Sequence, residues 1–117
     1  MKGLVTTLFL AGLLTSCVTL THERSARQQV SVQDAPEVAY QKTLRATMTM
    51  GGYVASQDAT KRAVSARLNK AVIVNVTLTP EGTGTLLEIQ ATAEPGYILA
   101  HDVPEDVQAF VAAYKRQ

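Results

Sequence analysis

The sequence contains no tryptophan, and its aromatic side chains are limited to four tyrosines and two phenylalanines. These few rings are spread along the chain and form no stacking platform for sugars or bases. The single cysteine, Cys17, has no partner for an intrachain disulfide, and a zinc site built on several cysteines is excluded. The formal net charge is only +1 and no cluster of basic residues occurs, which argues against binding to nucleic acid.

Groupings of residues typical of catalysis are equally scarce. His101 is followed by a carboxylate, Asp102, which we interpret as a helix cap instead, and His22, which precedes Glu23, is interpreted as a solvated residue of a polar segment. The glycines at 82 and 84 lie between two predicted strands and not before a helix, so a phosphate cradle is not expected there. Glu105 and Asp106 suit the dipole of a helix's first turn and have no partners at metal-ligand spacing. We therefore expect no enzyme activity, no metal site and no cofactor.

The N-terminal segment has the order of features found in signal peptides. Lys2 precedes an uncharged apolar run from Leu4 to Leu14. This run is shorter than the roughly 20 residues that a membrane-spanning helix needs, but it has the length of a signal-peptide core, about 7–15 residues. Two small residues, Thr15 and Ser16, then lead to Cys17.

The order Leu14-Thr15-Ser16-Cys17 resembles the lipobox of bacterial lipoproteins. The resemblance implies cleavage between Ser16 and Cys17 and attachment of acyl chains to Cys17. More than one chain gives stable anchoring, since each buried CH₂ contributes about 0.8 kcal/mol. Because Val18 and not Asp follows the cysteine, analogy with proteobacterial lipoproteins places the anchor on the periplasmic face of the outer membrane, or in the cytoplasmic membrane of a cell without an outer one. The alternatives are an ordinary secretory signal with a chance cysteine and a buried N-terminal helix.

Three segments are expected along the chain. Residues 1–16 form the signal peptide. Residues 17–34 comprise the lipidated cysteine and a flexible tether, because they are polar and show no sustained period. Residues 35–117 form one small periplasmic α+β domain.

Two helices are predicted, one at each end of this domain. The first runs from about Pro36 to Met50, with Asp34 as its N-cap and two glycines as its stop. Its expected core face holds Tyr40, Leu44, Thr47 and Met48. The second helix follows the cap Asp102, and its expected core face holds Val107, Phe110, Val111 and Tyr114.

Between the helices, apolar and polar residues alternate as in an antiparallel sheet with one face on a core. Strands are expected at residues 53–57, 63–68, 71–79 and 85–93, with a turn at 80–84 and an optional extra strand at 97–100. The first strand could instead be irregular. The pattern predicts a two-layer α+β sandwich, in which both helices cover one face of a sheet of three to four strands.

The order of helix, glycine, strands and terminal helix over residues 35–115 resembles that of small bacterial lipoproteins with an uncharacterised α-β-β-β-α domain. A looser resemblance connects it with the helix-grip domains of lipoproteins that accompany outer-membrane assembly machinery. Both resemblances consist of periodicity and carry no catalytic signature, so neither implies a role for a particular residue.

The outward face of the predicted sheet is the expected contact surface for a partner. Its residues are Arg67, Ile73, Asn75, Thr77, Leu86, Glu88 and Gln90. Two of them, Ile73 and Leu86, are apolar where water is expected, so they either contact a partner or are covered by a second layer or by the tether. We hypothesise a non-enzymatic accessory protein that docks another envelope protein through this face or through an edge strand. The alternative is a carrier of a lipid or small hydrophobic ligand between helices and sheet, where small residues such as Ala66 and Ala91 leave a cavity or allow close packing.

Overall fold

The computed structural model describes residues 23–68, 71–97, 99 and 102–117. These residues form β1 (Ser25–Val32), α1 (Pro36–Thr49), β2 (Tyr53–Asp58), β3 (Ala63–Arg67), β4 (Val72–Glu81), β5 (Gly84–Ala93) and α2 (Val103–Lys115). The strands make one antiparallel sheet in the order β1-β5-β4-β3-β2. The α+β class is confirmed, but the prediction of three to four strands is wrong because the sheet has five.

The additional strand, β1, comes from the segment predicted to be a flexible tether. It pairs with β5 along its full length. Ala26, Val30 and Val32 pack against the core, while the exposed Gln28 interrupts their alternation. The tether prediction is therefore wrong for Ser25–Val32. An edge strand with one wet face needs few apolar side chains, so its sequence signal is weak.

The apolar core draws on both helices and on one face of the sheet. Its largest fully buried apolar side chains are Phe110, Leu87, Val72, Val74, Val103 and Val107. All four residues predicted for the core face of α2 are buried. Alternate residues of β4 and β5 are buried and exposed, as the period of two predicts.

The core face of α1 is rotated from the predicted one. Tyr40 and Thr47 are buried as expected, but Met48 is 61% exposed and Leu44 is half-buried. The other buried positions belong to small side chains, namely Ala39, Thr43 and Ala46. The prediction of Met48 as a core residue is wrong, because small side chains let a helix pack closely and thereby take the place of larger apolar ones.

The C-terminal end of α1 is closed by its two glycines, as predicted. Gly51 has a φ of +78°, which a residue without a Cβ adopts easily. The N–H of Gly51 donates to the carbonyl of Met48, and the N–H of Gly52 donates to that of Thr47, each at 3.0 Å. This pair of bonds is a Schellman motif, and it satisfies carbonyls that the helix leaves open.

The N-terminal ends of the helices differ from the predicted caps. Ala35, not Asp34, is the N-cap of α1, and it makes no side-chain cap bond. The Asp34 prediction is wrong because other helical residues bind its carboxylate, as described below. Asp102 is the N-cap of α2 as predicted, but its side chain makes no cap bond and instead accepts a hydrogen bond from the N–H of Glu23.

The connection between β4 and β5 is tighter than the predicted turn. Glu81 pairs with Gly84, so only Gly82 and Thr83 remain in the loop. Gly82 has a φ of +60°, which fits the first central position of a type II′ turn. In the segment proposed as an optional strand, Tyr97 and Leu99 belong to no strand, and the positions 98 and 100 lie outside the described residues.

Candidate partner-docking face

The outward face of the sheet is built from residues that lie opposite one another on neighbouring strands. Directly opposed residues in an antiparallel sheet project from the same face. One row across the sheet contains Tyr53, Arg67, Ile73, Thr92 and Ser25; a second contains Ser65, Asn75, Gln90 and Arg27; a third contains Asp58, Ala63, Thr77, Glu88 and Gln29.

All seven residues predicted for the partner surface lie on this one face. Three pairs of them are directly opposed: Arg67 with Ile73, Asn75 with Gln90, and Thr77 with Glu88. Leu86 lies one row further along, opposite Thr79. The structure thus brings together residues that are up to 23 positions apart in the chain (90 − 67).

The apolar members of this face are less accessible than the sequence suggests. Ile73 and Leu86 are half-buried, whereas Asn75, Thr77, Glu88 and Gln90 are exposed. On the β1 side, Leu86 has Ser31 as its cross-strand neighbour. Both apolar side chains of the predicted surface are therefore only partly open to water.

β1 contributes functional candidates that the sequence did not reveal. Arg27 donates to the side chain of Gln90 at 3.4 Å, and Gln29 donates to that of Glu88 at 3.3 Å. Ser31 donates to the carboxylate of Glu81 at 3.0 Å. No local signal could have found these residues, because they join the face only when β1 pairs with β5.

Two shallow depressions cross the outward face side by side. One encloses about 250 Å³ and lies over β1, β5 and β4, where Arg27 and Glu88 place opposite charges on its wall. The other encloses about 360 Å³ and lies over β2, β3 and β4, with Asp58 on its wall. Because Asn75 and Thr77 line both depressions, the two adjoin along β4, and we call them together the trough. The exposed polar side chains along it can form hydrogen bonds to a partner.

An ion pair closes one end of this face. The guanidinium of Arg67 donates to the carboxylate of Glu94 at 2.5 Å. This hydrogen bond lowers the pKa of Glu94 and raises the pKa of Arg67, to which the nearby Tyr53 also contributes. Arg24 donates to the backbone carbonyls of Glu94 and Tyr97, at 2.6 and 3.0 Å. The predicted surface residue Arg67 is therefore held in place by a network, and it is not a freely moving charge.

A second polar cluster surrounds Asp34, away from the outward face. One carboxylate oxygen of Asp34 accepts hydrogen bonds from the hydroxyl of Tyr114 at 2.8 Å and from Lys42 at 3.1 Å. Its backbone carbonyl accepts a bond from the buried Thr85 hydroxyl at 2.8 Å. The bond from Tyr114, followed by Lys42, lowers the pKa of Asp34, while burial and Asp34 raise the pKa of Tyr114. This cluster ties both helices and β5 to the end of β1, so its function is structural.

A further depression of about 340 Å³ lies between α1 and the turn that joins β2 to β3. Its wall includes Pro36, Tyr40, Gln41 and Arg62. The hydroxyl of Tyr40 donates to the side chain of Gln57 at 3.2 Å. Arg62 has a positive φ of 52°, which is uncommon for a residue with a side chain.

The predicted lipidation and cleavage residues, Cys17 and Ser16, lie outside the described residues. Among the residues that the structure describes, no three His, Cys, Asp or Glu side chains lie close enough to hold a metal ion. Within the same part of the chain, neither α1 nor α2 has the length and apolar character needed to cross a membrane.

Comparisons with known proteins support the fold and assign no family or function. No protein-family model and no curated protein sequence matches this chain. The crystal structure of Ara h 8.0201 is similar in fold, with a TM-score of 0.56 and 9% sequence identity over 79% of this chain and 95% of that one. Protein CV1439 from Chromobacterium violaceum aligns over 80% of this chain and 94% of that one, with 16% identity and a TM-score of 0.46.

Proposed function

We propose that this protein is a non-enzymatic, lipid-anchored accessory protein of the bacterial envelope that docks another envelope protein through the outward face of its sheet. The observation that carries the docking proposal is the trough, in which two depressions adjoin at Asn75 and Thr77. The opposite face of the sheet is buried in the core, which supports a two-layer arrangement with both helices on that side. Only the outward face then remains open across the strands.

The anchor in this proposal rests on the sequence from Leu14 to Cys17. Acylated Cys17 holds the domain at the outer membrane, or at the cytoplasmic membrane of a cell without an outer one. Replacement of Cys17 by Ser removes the only thiol, so the variant should leave the membrane fraction after cell breakage. Ser16→Ala keeps a small residue before the cysteine and should stay with the membranes. A Cys17→Ser variant that sediments like the wild type contradicts the anchor.

Docking can be tested with a photo-crosslinking amino acid placed at single exposed positions in living cells. At Thr77 or Gln90 the probe points into the trough, and we expect one adduct of defined mass at both positions. At Gln108, an exposed residue of α2, we expect no adduct. Adducts at Gln108 alone, or none at any position, contradict docking through the outward face.

A second candidate function is the carriage of a lipid or small hydrophobic molecule. The depression beside Tyr40, which lies between α1 and the sheet margin, favours it. The small inward residues Ala39, Ala66 and Ala91 are fully or almost fully buried beside Phe110 in the core, which supports close packing and hence docking over carriage. Organic extraction of the purified protein and mass spectrometry separate the two, because a carrier retains a stoichiometric ligand that a Tyr40→Ala variant loses.

A further inference from the structure

The topology brings the starts of some strands and the ends of others together at one end of the sheet. Because all strands are antiparallel, β1 and β2 begin where β3 and β5 end: Ser25 lies opposite Thr92, and Tyr53 lies opposite Arg67. We call this the Tyr97 end, and define it by Arg24, Met48, Tyr53, Arg67, Glu94 and Tyr97. The opposite end of the sheet, at the turn of Gly82 and Thr83, is called the Gly82 end.

Three of the four exposed large apolar side chains of the described residues lie at the Tyr97 end. Four large apolar side chains are conspicuously exposed: Val38 at 50%, Met48 at 61%, Tyr53 at 59% and Tyr97 at 44%. Met48 lies in the last turn of α1, Tyr53 begins β2, and Tyr97 follows the turn after β5. Only Val38, near the start of α1, lies towards the other end of the sheet.

Several polar groups at the Tyr97 end are paired with one another. Arg24 binds the carbonyls of Glu94 and Tyr97, and Arg67 binds the carboxylate of Glu94. Glu23 and Asp102 also lie at this end, where the N–H of Glu23 donates to the carboxylate of Asp102, so the charged groups of the Tyr97 end are of both signs. Exposed tyrosines are typical of surfaces that rest among lipid headgroups, because a tyrosine ring is apolar while its hydroxyl remains hydrated.

The path of the N-terminal chain points the Tyr97 end towards the membrane. The described chain begins at Glu23, which is held at the start of α2 by the bond from the N–H of Val103 to its carbonyl at 2.9 Å. Six residue steps separate Cys17 from Glu23, and even a fully extended chain covers only about 20 Å over that distance. The ten residues of β5 lead a further 33 Å or so away, to the Gly82 end.

We infer that the Tyr97 end rests on the membrane surface, with Tyr53 and Tyr97 among the phospholipid headgroups. The inference rests on the proposed lipid anchor at Cys17 and names the orientation that the short link imposes. In this orientation the sheet extends away from the membrane surface. A partner anchored in the same leaflet can then reach the trough on the outward face from the side.

Lipid contact can be measured by fluorescence quenching, because the chain contains no tryptophan of its own. Tyr97→Trp and Tyr53→Trp each place a single reporter at the Tyr97 end, and Thr83→Trp places a matched one at the exposed Gly82 end. The full acylated chain is reconstituted into vesicles of phosphatidylethanolamine and phosphatidylglycerol with brominated acyl chains. We expect bromine to quench Trp at positions 53 and 97 several-fold more than at position 83.

Two contrary results have different meanings. If the chain floats with the vesicles but quenching is equal at positions 97 and 83, the orientation is overturned and the anchor stands. If the chain does not float with the vesicles, the anchor itself is overturned, and the inference falls with it. Addition of a detergent that dissolves the vesicles should abolish the difference between the positions, which excludes quenching by free brominated lipid.

Discussion

Asp34 shows how one side chain connects distant parts of this fold. It was predicted to cap α1, yet its carboxylate binds Tyr114 of α2 and Lys42 of α1. The last turn of α2 and the middle of α1 thereby meet at the chain segment that follows β1. A cap requires only local sequence, whereas this arrangement depends on residues 80 positions apart, so no reading of the local sequence could have predicted it.

Replacement of Tyr114 by Phe should lower the free energy of unfolding by roughly 1–2 kcal/mol at neutral pH, because a hydrogen bond to a charged acceptor is lost. The folded state lowers the pKa of Asp34, so the stability that Asp34 contributes is present above its ordinary pKa of 3.8 and is lost as pH falls through the folded value. The difference between variant and wild type should therefore shrink in acid. Denaturant titrations between neutral and acidic pH measure it.

Tyr40→Phe is the control for this pH dependence. The Tyr40 hydroxyl binds the uncharged side chain of Gln57, so any loss of stability should stay constant over the same pH range. A Tyr114→Phe penalty that does not change with pH would show that Asp34 is not the charged partner.

Truncation of Phe110 and of Met48 should change the free energy of unfolding by very different amounts, although both residues were predicted to face the core. Phe110 is fully buried and Met48 is mostly exposed. We expect Phe110→Ala to cost about 3–5 kcal/mol of unfolding free energy. Met48→Ala should change it by less than about 0.5 kcal/mol. Thermal unfolding followed by circular dichroism compares the two variants. A large loss of stability in Met48→Ala would support the prediction that Met48 lies on the core face of α1.

The strands were predictable to different degrees, and the reason is their burial. β4 and β5 have one fully covered face, so apolar and polar residues alternate strictly, and the predicted bounds differ from the observed ones by at most two residues. β1 lies at the sheet edge, and Gln28 interrupts its apolar alternation. The outward face was predictable because it follows from the same alternation, whereas its extension over Arg27 and Gln29 required the pairing of β1.

The absence of a side chain at Gly84 allows the end of β1 to lie close to β5. A Cβ at this position would lie much closer to the backbone carbonyl oxygen of Val32 than any non-bonded contact allows. Gly84→Ala should therefore detach the end of β1 and increase hydrogen exchange of amides in β1 and β5 while α2 stays protected. Gly82→Asn is the control, since the space beside Gly82 is open and Asn tolerates a positive φ. Equal exchange in both variants would show that β1 does not depend on Gly84.

The boundary of the folded unit follows from β1. The predicted domain, residues 35–117, omits this strand and would leave the edge of β5 unpaired, with Val30 and Val32 missing from the core. A chain of residues 23–117 should unfold cooperatively as a monomer. A chain of residues 35–117 should be less stable and should associate through the exposed edge. Light scattering and thermal unfolding of the two chains test this, and equal stability would make β1 dispensable.

The pairing of β1 with β5 also determines when, during synthesis of the chain, β1 can join the sheet. Arg24 and Glu94, which meet at one end of this pair, are 70 residues apart in the chain. β1 is therefore made first but must wait until nearly the whole chain has been synthesised before its partner exists. During that interval its polar composition is an advantage, because a strand rich in Arg, Gln and Ser has little tendency to aggregate while it is unpaired. The weak apolar pattern that makes β1 difficult to predict thus lowers the risk of aggregation until the sheet is complete.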